Sequence, residues 1–200
     1  MGSDTLAMSG PVLAFDTSAA HCAVALLVNG RVSATSKPME RGQAEALMPM
    51  IEGLLTAKGV TYSDLTRLAV GVGPGNFTGI RIAVSAARGL AMGLKIPAIG
   101  ITGFDVVLHA QPNCLAAIPA PRDMAYLQEG DDPPRLVPRV DVPARALWPL
   151  APDRHVQAMA QIAAQAPPER FGAAPAPLYI RPADAAPPRD APPVILDEPG

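Results

Sequence analysis

The sequence predicts an α/β fold with a mixed sheet, arranged as two small lobes. Short apolar runs alternate with segments of helical periodicity throughout residues 11–103. Proline and glycine divide the chain, because 19 of the 24 Pro fall in residues 101–200 while 13 of the 17 Gly fall in residues 1–100. An apolar fraction of 49% is enough to form a buried core. We therefore expect two lobes that follow different local rules.

Three antiparallel strands are predicted at the start of the fold. Val12–Phe15 and Cys22–Val28 are short apolar runs. Asn29-Gly30 follows the second run and is the strongest short-range indication of a hairpin. Arg31–Lys37 is therefore expected to pair back as the third strand.

Helices and strands alternate after this hairpin. Apolar positions recur at helical spacing in Gln43–Lys58 and in Ile80–Leu94. The β-branched run Leu68–Val72 predicts a buried strand between these helices, and Ile96–Ile101 predicts a fifth strand before a short helix that ends at Ala110. The resulting order βββαβαβα is that of the ribonuclease H-like and actin-like (ASKHA) fold.

The predicted domain boundaries follow these changes in composition. Residues 1–10 lack apolar periodicity and are interpreted as a leader that is disordered or was introduced by cloning. Residues 11–103 form the N-terminal lobe, and residues 104–200 form a shortened, Pro-rich C-terminal lobe. Its tail, residues 167–200, contains ten Pro, so Leu178–Ile180 is the one strand candidate there.

Composition argues against several classes of protein. The 16 Lys+Arg nearly balance the 18 Asp+Glu, so the chain lacks the broad basic face of a non-specific nucleic-acid binder. Cys22 and Cys114 lie far apart with no CxxC or Cys/His ligand spacing, which argues against a disulfide scaffold and a structural zinc site. Apolar stretches end well short of the roughly 20 residues that span a bilayer. We expect a cytoplasmic protein with no membrane partner and no metal.

The Gly-rich segment from Gly73 to Gly79 lies between a predicted strand and a predicted helix. Backbone amides in such a turn favour an anion, so a phosphate or nucleotide site is one interpretation. The strict templates fail, since no GxxxxGK[ST] is present and a third Gly is missing from GxGxxG. The other interpretation is a tight turn that lets strand and helix pack closely. The residues of the anion site would be Asp16, Gly73, Gly75, Asn76, Thr78, Gly79 and Arg81.

Arg81 is expected to have an anionic partner. A cation in the first turn of a helix faces the positive end of the helix dipole, which costs roughly 0.3–1 kcal/mol. Asp16, a ligand phosphate or a carboxylate of another protein could fill this role. Asp16 itself precedes Thr-Ser, a pattern that favours hydrogen bonds within its own turn over metal or phosphate binding.

Ser85, Gly89 and Gly93 are spaced four apart and form a small-residue stripe on the second helix. Such a stripe permits close approach of another helix, which is either the first helix of this chain or part of another protein. The three His belong to no metal-binding or hydrolase motif and are expected to be surface or half-buried residues. Trp148 and Phe171 are expected to pack a small core in the second half.

Three segments together resemble the bacterial TsaB family of tRNA threonylcarbamoyladenosine biosynthesis proteins. They read LAFDTS, GQAEALMPMI and GVGPGNFTGIRIAVSAARGLA. The resemblance runs from about Val12 to Gly103 and resumes weakly at LYIRPADA. It implies a two-lobed actin-like fold and a non-catalytic scaffold that dimerises with the paralogue TsaD, which modifies adenosine in tRNAs reading ANN codons.

The resemblance also implies further partners and an interface. The ATPase TsaE would join the complex, tRNA would be bound through the complex, and the isolated chain would form a homodimer. No cofactor is expected on the chain alone, and ATP or ADP at an inter-subunit site stays open. The helices at Gln43–Lys58 and Ile80–Leu94 would form the partner surface. Its expected residues are Glu45, Leu47, Met50, Leu54, Ser85, Arg88, Gly89, Met92 and Gly93.

The second half departs from the family pattern. A segment with two acids often follows the sixth strand of the family, and residues 119–126, PAPRDMAY, have Pro119 and Met124 at those two acidic positions. From a different class, an actin-like ATPase or phosphotransferase stays open as the alternative function, because the predicted fold and the loop from Gly73 to Gly79 would suit it.

Overall fold

The computed structural model describes residues 10–130 and 132–180. Within these residues, eight strands form two sheets: β1 (Val12–Asp16), β2 (His21–Val28), β3 (Arg31–Pro38), β4 (Arg67–Gly71), β5 (Ala98–Ile101), β6 (Leu115–Ala120), β7 (Met124–Glu129) and β8 (Arg135–Pro138). Four α-helices accompany them: α1 (Gln43–Ala57), α2 (Phe77–Leu94), α3 (Gly103–Ala110) and α4 (Pro152–Gln165). The predicted order βββαβαβα is confirmed over residues 12–110.

The first sheet is mixed and has the strand order β3-β2-β1-β4-β5. Its first three strands are antiparallel, whereas β4 runs parallel to both β1 and β5. The β2–β3 hairpin turns at Asn29 and Gly30, whose φ angles of 49° and 74° are those that an Asn-Gly turn adopts. The predicted α/β class with a mixed sheet is therefore confirmed.

Both faces of this sheet are covered by helices. Along β1, Leu13 and Phe15 point to the side packed by α1 and α2, while Val12 and Ala14 point to the side packed by α4. Successive side chains of a strand alternate between faces, so burial on both sides explains why β1 is apolar at consecutive positions.

The second sheet is small and antiparallel, with the order β6-β7-β8. Phe104 and Val107 of α3 pack against Ile118 on one side of β6, and Trp148 packs against the cluster on the other side. Helix α4 comes from the second half of the sequence but packs on β1, β2 and β3 of the first sheet. The boundary near residue 103 therefore separates the two sheets, while α4 belongs to the core of the first.

Two local predictions in the second half are wrong. Phe171 packs against the core between the first sheet and α4, with Arg67 5.1 Å from its ring centre, and does not share a core with Trp148. Leu178–Ile180 is not a strand, although the Leu178 N–H donates to the Val72 carbonyl at 2.8 Å. Pro175 and Pro177 directly before this segment have no N–H to donate, which limits a ladder here.

Two sequence predictions concern segments that are not described. Residues 1–9 of the predicted leader and residues 181–200 of the Pro-rich tail lie outside the described residues. Among the helices that are described, none is both long enough and apolar enough to cross a membrane.

Candidate functional site

The Gly-rich loop between β4 and α2 packs directly against the turn between β1 and β2. The Asn76 N–H donates to the Ser18 carbonyl at 2.7 Å, and the Thr17 hydroxyl donates to the Gly79 carbonyl at 2.6 Å. Asn76 also caps α2, since its Oδ1 accepts from the Gly79 N–H at 2.9 Å. The N–H groups of Asn76 and Gly79 are therefore already bonded within the protein, whereas the anion-site interpretation needs such amides to be free for a ligand.

Glycine is required in this loop by close approach of backbones. A Cβ at Gly79 would collide with the Thr17 carbonyl oxygen, and a Cβ at Gly75 would collide with the Ser18 carbonyl oxygen. Gly73 adds a conformational requirement, because its φ of 95° lies in the left-handed region. The tight-turn interpretation accounts for all three glycines.

Asp16 ends β1 with its side chain almost completely buried. The Ser18 hydroxyl donates to one carboxylate oxygen at 3.0 Å, the Ser18 N–H donates to the other at 3.3 Å, and His21 Nε2 lies 2.8 Å from the first. Burial acts to raise the pKa of Asp16, but the hydrogen bond with His21 and the nearby imidazoles outweigh it and bring the pKa below 3.8. Asp16 therefore holds its own turn as an ionised carboxylate.

An inter-lobe cleft of about 680 Å³ opens beside Asp16. It lies between the end of the first sheet, the loop before α2, the end of β6 and the start of α4. Its lining residues are Asp16, Ser18, Ala19, Ala20, His21, Glu40, Pro74, Gly75, Asn76, Gly103, Ile118, Pro119, Ala120, Pro121, Pro149, Leu150, Pro152 and His155. The cleft has the size of a small-molecule site.

His155 reaches the cleft from the first turn of α4 and is buried. Burial lowers its pKa below 6.5, although the Asp16 carboxylate acts to raise it, so its imidazole is neutral at pH 7. The Cys22 thiol is buried behind Asp16, and burial together with that carboxylate raises its pKa to about 11. Cys22 is therefore a protonated thiol at neutral pH.

Sequence reasoning missed His21 and His155 as members of this cluster. The position of His21, five residues after Asp16 across a strand turn, could have indicated that the two side chains meet. No spacing rule connects Asp16 with His155, because α4 reaches the sheet only through the tertiary fold. The expectation that the histidines lie at half-buried or surface positions holds for His21 and His109 but not for His155.

Arg81 does not pair with Asp16, so the first of its three candidate anionic partners is wrong. Asp16 follows Ala14 on the side of the sheet covered by α4, whereas α2 lies on the opposite side. Arg81 is exposed instead, with its guanidinium 3.8 Å from the centre of the Phe77 ring and its Nε–H donating to the Tyr179 hydroxyl at 3.0 Å.

The predicted anion site is divided among three places in the fold. Asp16, Gly75 and Asn76 line the inter-lobe cleft, and Gly73 and Gly79 are buried. Thr78 and Arg81 line a separate groove of about 530 Å³ between α1 and α2, and Asn76, Thr78 and Gly79 meet in a smaller pocket of about 390 Å³ beside Arg41. The structure therefore does not bring the seven residues around one ligand.

The outer surface of α1 and α2 holds most of the expected partner residues. Ser85, Gly89 and Gly93 are exposed, and a Cβ at either glycine would meet nothing within 4 Å. The stripe is thus not covered by α1 or by any other described part of the chain. Glu45, Arg88 and Met92 are exposed and Met50 is half-buried.

Leu47 and Leu54 are corrections to the expected partner surface. Their exposed fractions are 1% and 8%, and both pack into the core between α1 and the first sheet. Helical periodicity alone places both residues on the apolar stripe of α1, and this stripe packs against the first sheet and is buried in the core of the chain. We define the α1–α2 face as the exposed surface around Phe77, Ser85, Gly89, Met92 and Gly93.

Comparisons with known proteins agree with this fold. The family model described as "TsaD: tRNA N6-adenosine threonylcarbamoyltransferase" matches residues 37–141, which is more than half of the chain. A solved structure of a Pseudomonas aeruginosa protein "with similarity to peptidase YEAZ" is 26% identical with a TM-score of 0.68, covering 87% of this chain and 100% of that one. A second solved structure, "YeaZ from Pseudomonas aeruginosa", is 24% identical with a TM-score of 0.66, covers 86% of this chain and 100% of that chain, and shows the same fold.

Relatives named "tRNA threonylcarbamoyladenosine biosynthesis protein TsaB" match part of the chain. The Escherichia coli K12 protein is 41% identical over 91 residues, covering 46% of this chain and 39% of the relative. The Haemophilus influenzae protein is 35% identical over 124 residues, covering 59% of this chain and 52% of the relative. The chain thus spans about half or less of the length of these relatives. On the family model, these relatives and the YeaZ structures, the chain belongs to the TsaD family and is a TsaB/YeaZ-like member of it.

Proposed function

We propose that this chain is a non-catalytic scaffold subunit for threonylcarbamoyl modification of adenosine in tRNAs that read ANN codons. It would act by docking its α1–α2 face on a TsaD-type catalytic paralogue. The names of the TsaB relatives support the pathway. The observation that carries the docking role is the exposed surface of α2, which combines apolar side chains with open glycines.

Apolar exposure on this face is concentrated at the two ends of α2. Met92 is 81% exposed and Phe77 is 52% exposed, although both are large apolar side chains. Large apolar side chains at a surface gain free energy when a partner covers them, roughly 25 cal/mol per Å² of apolar area. Burial of Met92 and Phe77 by a partner would therefore stabilise a complex formed through the α1–α2 face.

Between these ends, Ser85, Gly89 and Gly93 leave a strip without large side chains. Small residues four apart let a second helix approach closely, so that ridges on one helix enter grooves on the other. The adjoining groove between α1 and α2 offers Met48, Ile82 and Ala86 as further apolar contacts. A helix of the partner fits this combination of strip and groove.

The same face would serve the other assemblies that we propose. A second copy of this chain would use it in a homodimer when no paralogue is present, and a TsaE-type ATPase and tRNA would join through the complex. ATP or ADP, where required, would lie between subunits. The cleft of this chain alone has no Lys or Arg among its described lining residues to hold the phosphates.

The experiment that tests the proposal combines co-purification with a modification assay. The chain is purified with the TsaD-type protein of the same cell, and threonylcarbamoyladenosine in tRNA is measured with and without it. We expect modification to depend on the chain. Modification at the same rate without it would contradict the scaffold role, and ATP hydrolysis by the pure chain that Asp16→Asn abolishes would favour the nucleotide-binding alternative.

A matched pair of surface variants locates the docking face. Met92→Asp and Val140→Asp replace side chains that are 81% and 84% exposed, but Val140 lies in the second lobe, away from α2. We expect Met92→Asp to weaken association about 10-fold or more and Val140→Asp to leave it unchanged, as for a buried hot spot and a non-contact site. Gly89→Leu should block helix approach in the same assay. Association that survives both α2 variants would remove α2 from the interface.

A further inference from the structure

The charge of the inter-lobe cleft is negative or neutral throughout. Asp16 and Glu40 are its carboxylates, and no Lys or Arg is among its described lining residues. His155 is neutral at pH 7, because burial lowers its pKa, so its ring does not offset these two carboxylates. This side-chain charge favours a cation over a phosphate or a carboxylate, and it outweighs the partial positive charge of the α2, α3 and α4 N-termini that line the cleft at Asn76, Gly103 and Pro152.

Hydrogen-bonding capacity in the cleft is incomplete at His155. The exposed fraction of this residue is 8%, and its ring hydrogen-bonds to no other residue within 10–130 and 132–180. Its ring nitrogens are not among the fully buried unpartnered atoms of the described residues, so they are reached from the cleft and are free to bond a ligand or water there. The unprotonated nitrogen of a neutral imidazole accepts a hydrogen bond, which suits an N–H donor.

The opposite wall of the cleft is apolar and supplied by prolines and aliphatic residues. Ile118 and Pro119 come from β6, Pro121 follows it, Leu150 precedes α4, and Pro152 is the first residue of α4. Ile118 is fixed by its packing against Phe104. This wall offers contact to the body of an organic molecule but no hydrogen-bond donors for a polar one.

We infer that the inter-lobe cleft binds a small organic cation, with an ammonium or amidinium group beside Asp16, His21 and His155 and an apolar body against the proline-rich wall. The site is separate from the α1–α2 face, since none of the five residues that define that face lines the cleft, and it does not depend on the scaffold role. Asp16 supplies the buried negative charge, Glu40 adds a second carboxylate at the rim, and His155 accepts one hydrogen bond.

The test uses three aromatic probes of nearly equal shape and different charge. Benzamidine is a cation, benzamide is neutral and benzoate is an anion, and each is titrated into the isolated chain at pH 7.5 by calorimetry. We expect benzamidine to bind about 10-fold more tightly than benzamide, with benzoate and ATP no tighter than benzamide. The ring signals of His21 and His155 in nuclear magnetic resonance spectra should shift with benzamidine.

Two variants and one control test whether the preference for benzamidine over benzamide comes from the carboxylates of the cleft. Glu40→Gln changes an exposed rim residue and Asp16→Asn changes the buried carboxylate, and each should reduce the preference for benzamidine over benzamide several-fold. His109→Gln, an exposed residue of α3 outside the cleft, should leave it unchanged. Circular dichroism checks that Asp16→Asn is folded, and Glu40→Gln decides the question if it is not.

Three outcomes would overturn the inference. The first is absence of benzamidine binding, and the second is binding of benzoate or ATP that equals or exceeds it. The third is a preference for benzamidine that Glu40→Gln and folded Asp16→Asn both leave intact. Each outcome leaves the docking role untouched, because that role is measured on the complex with α2 variants.

Discussion

The inter-lobe cleft lies at the end of the first sheet, whereas the α1–α2 face is the outer surface of helices that cover one side of that sheet, and the two regions differ in physical character. In the cleft, Asp16 and His155 are polar and buried, whereas Phe77 and Met92 on the α1–α2 face are apolar and exposed. Polar side chains are therefore buried in the cleft, whereas large apolar side chains are exposed to water on the α1–α2 face. The difference teaches that this small chain keeps its buried polar cluster and its exposed apolar surface apart.

The separation begins with the pleat of one strand. Phe15 and Asp16 are neighbours on β1, yet Phe15 joins the core under α1 and α2 while Asp16 opens to the cleft. The Gly-rich loop then connects the two regions, since it packs on the turn after Asp16 and begins α2. Changes in either region can therefore be tested for effects on the other.

The largest effect is expected where the α1–α2 face meets the core. Leu47 lies beneath the groove and is 1% exposed, so Leu47→Ala should lower the free energy of unfolding by about 3 kcal/mol through lost burial and a cavity. Urea denaturation measures this loss. Glu45→Ala, on the exposed side of the same helix, is the control and should change stability by less than about 0.5 kcal/mol. Equal losses would show that Leu47 is not a core residue.

A second pair of variants tests the loop that joins the regions. Gly79→Ala forces a Cβ against the Thr17 carbonyl, and such overpacking should cost about 2 kcal/mol. Gly89→Ala on the same helix meets open space and should stabilise α2 by up to about 1 kcal/mol through helix propensity. Thermal unfolding of the two variants measures the expected loss of stability in Gly79→Ala and the expected gain in Gly89→Ala. A neutral Gly79→Ala would mean that close packing does not explain the loop glycines.

The cleft should reveal itself through the pH dependence of stability. The unfolded chain protonates His155 as pH falls below about 6.5, while burial lowers the pKa of the folded state, so the unfolded state binds more protons. The stabilising contribution is complete above pH 6.5 and is lost as pH falls toward the folded pKa. Asp16 also has a lowered pKa, but its contribution is lost only as pH falls below 3.8.

The measurement is urea denaturation at several pH values between 7 and 5. We expect His155→Gln to reduce the slope of stability against pH, because the titrating group is removed. His109→Gln, an exposed residue of α3, should keep the wild-type slope. Asp16, His21 and Glu40 are the other titratable groups that line the cleft, and all are retained in both variants. An unchanged slope in His155→Gln would place its imidazole in water.

Much of the fold could be predicted because local patterns carry it. The Asn29-Gly30 turn and the helical spacing in α1 and α2 depend on neighbours in sequence, and all are present in the structure. Predicted ends differ by only a few residues, as with the start of α2 at Phe77 in place of Ile80. Such shifts are typical of helix ends, where a cap such as Asn76 decides the first turn.

The site could be predicted only in part because tertiary packing assembles it. Periodicity placed Leu47 on a helix face but could not say that the chain's own sheet covers that face. Periodicity also could not predict that His155 lies in the same cleft as Asp16, or that Arg81 bonds Tyr179 and not Asp16. Successive side chains of a strand point to opposite faces of the sheet. Once Phe15 is assigned to the face under α1 and α2, Asp16 must therefore point to the opposite face, away from α2 and Arg81.

The smallest expected effect lies at the rim of the α1–α2 face, where Arg81 holds the C-terminal segment against α2. Its guanidinium lies over the Phe77 ring, and its Nε–H donates to Tyr179. Arg81→Met keeps the length of the side chain but loses both interactions, and should cost about 0.5–1 kcal/mol, the range of exposed cation–π pairs. Tyr179→Phe removes only the hydroxyl. A double-mutant cycle between Arg81→Met and Tyr179→Phe isolates that bond, and a coupling energy of zero would show that stacking on Phe77 alone retains Arg81.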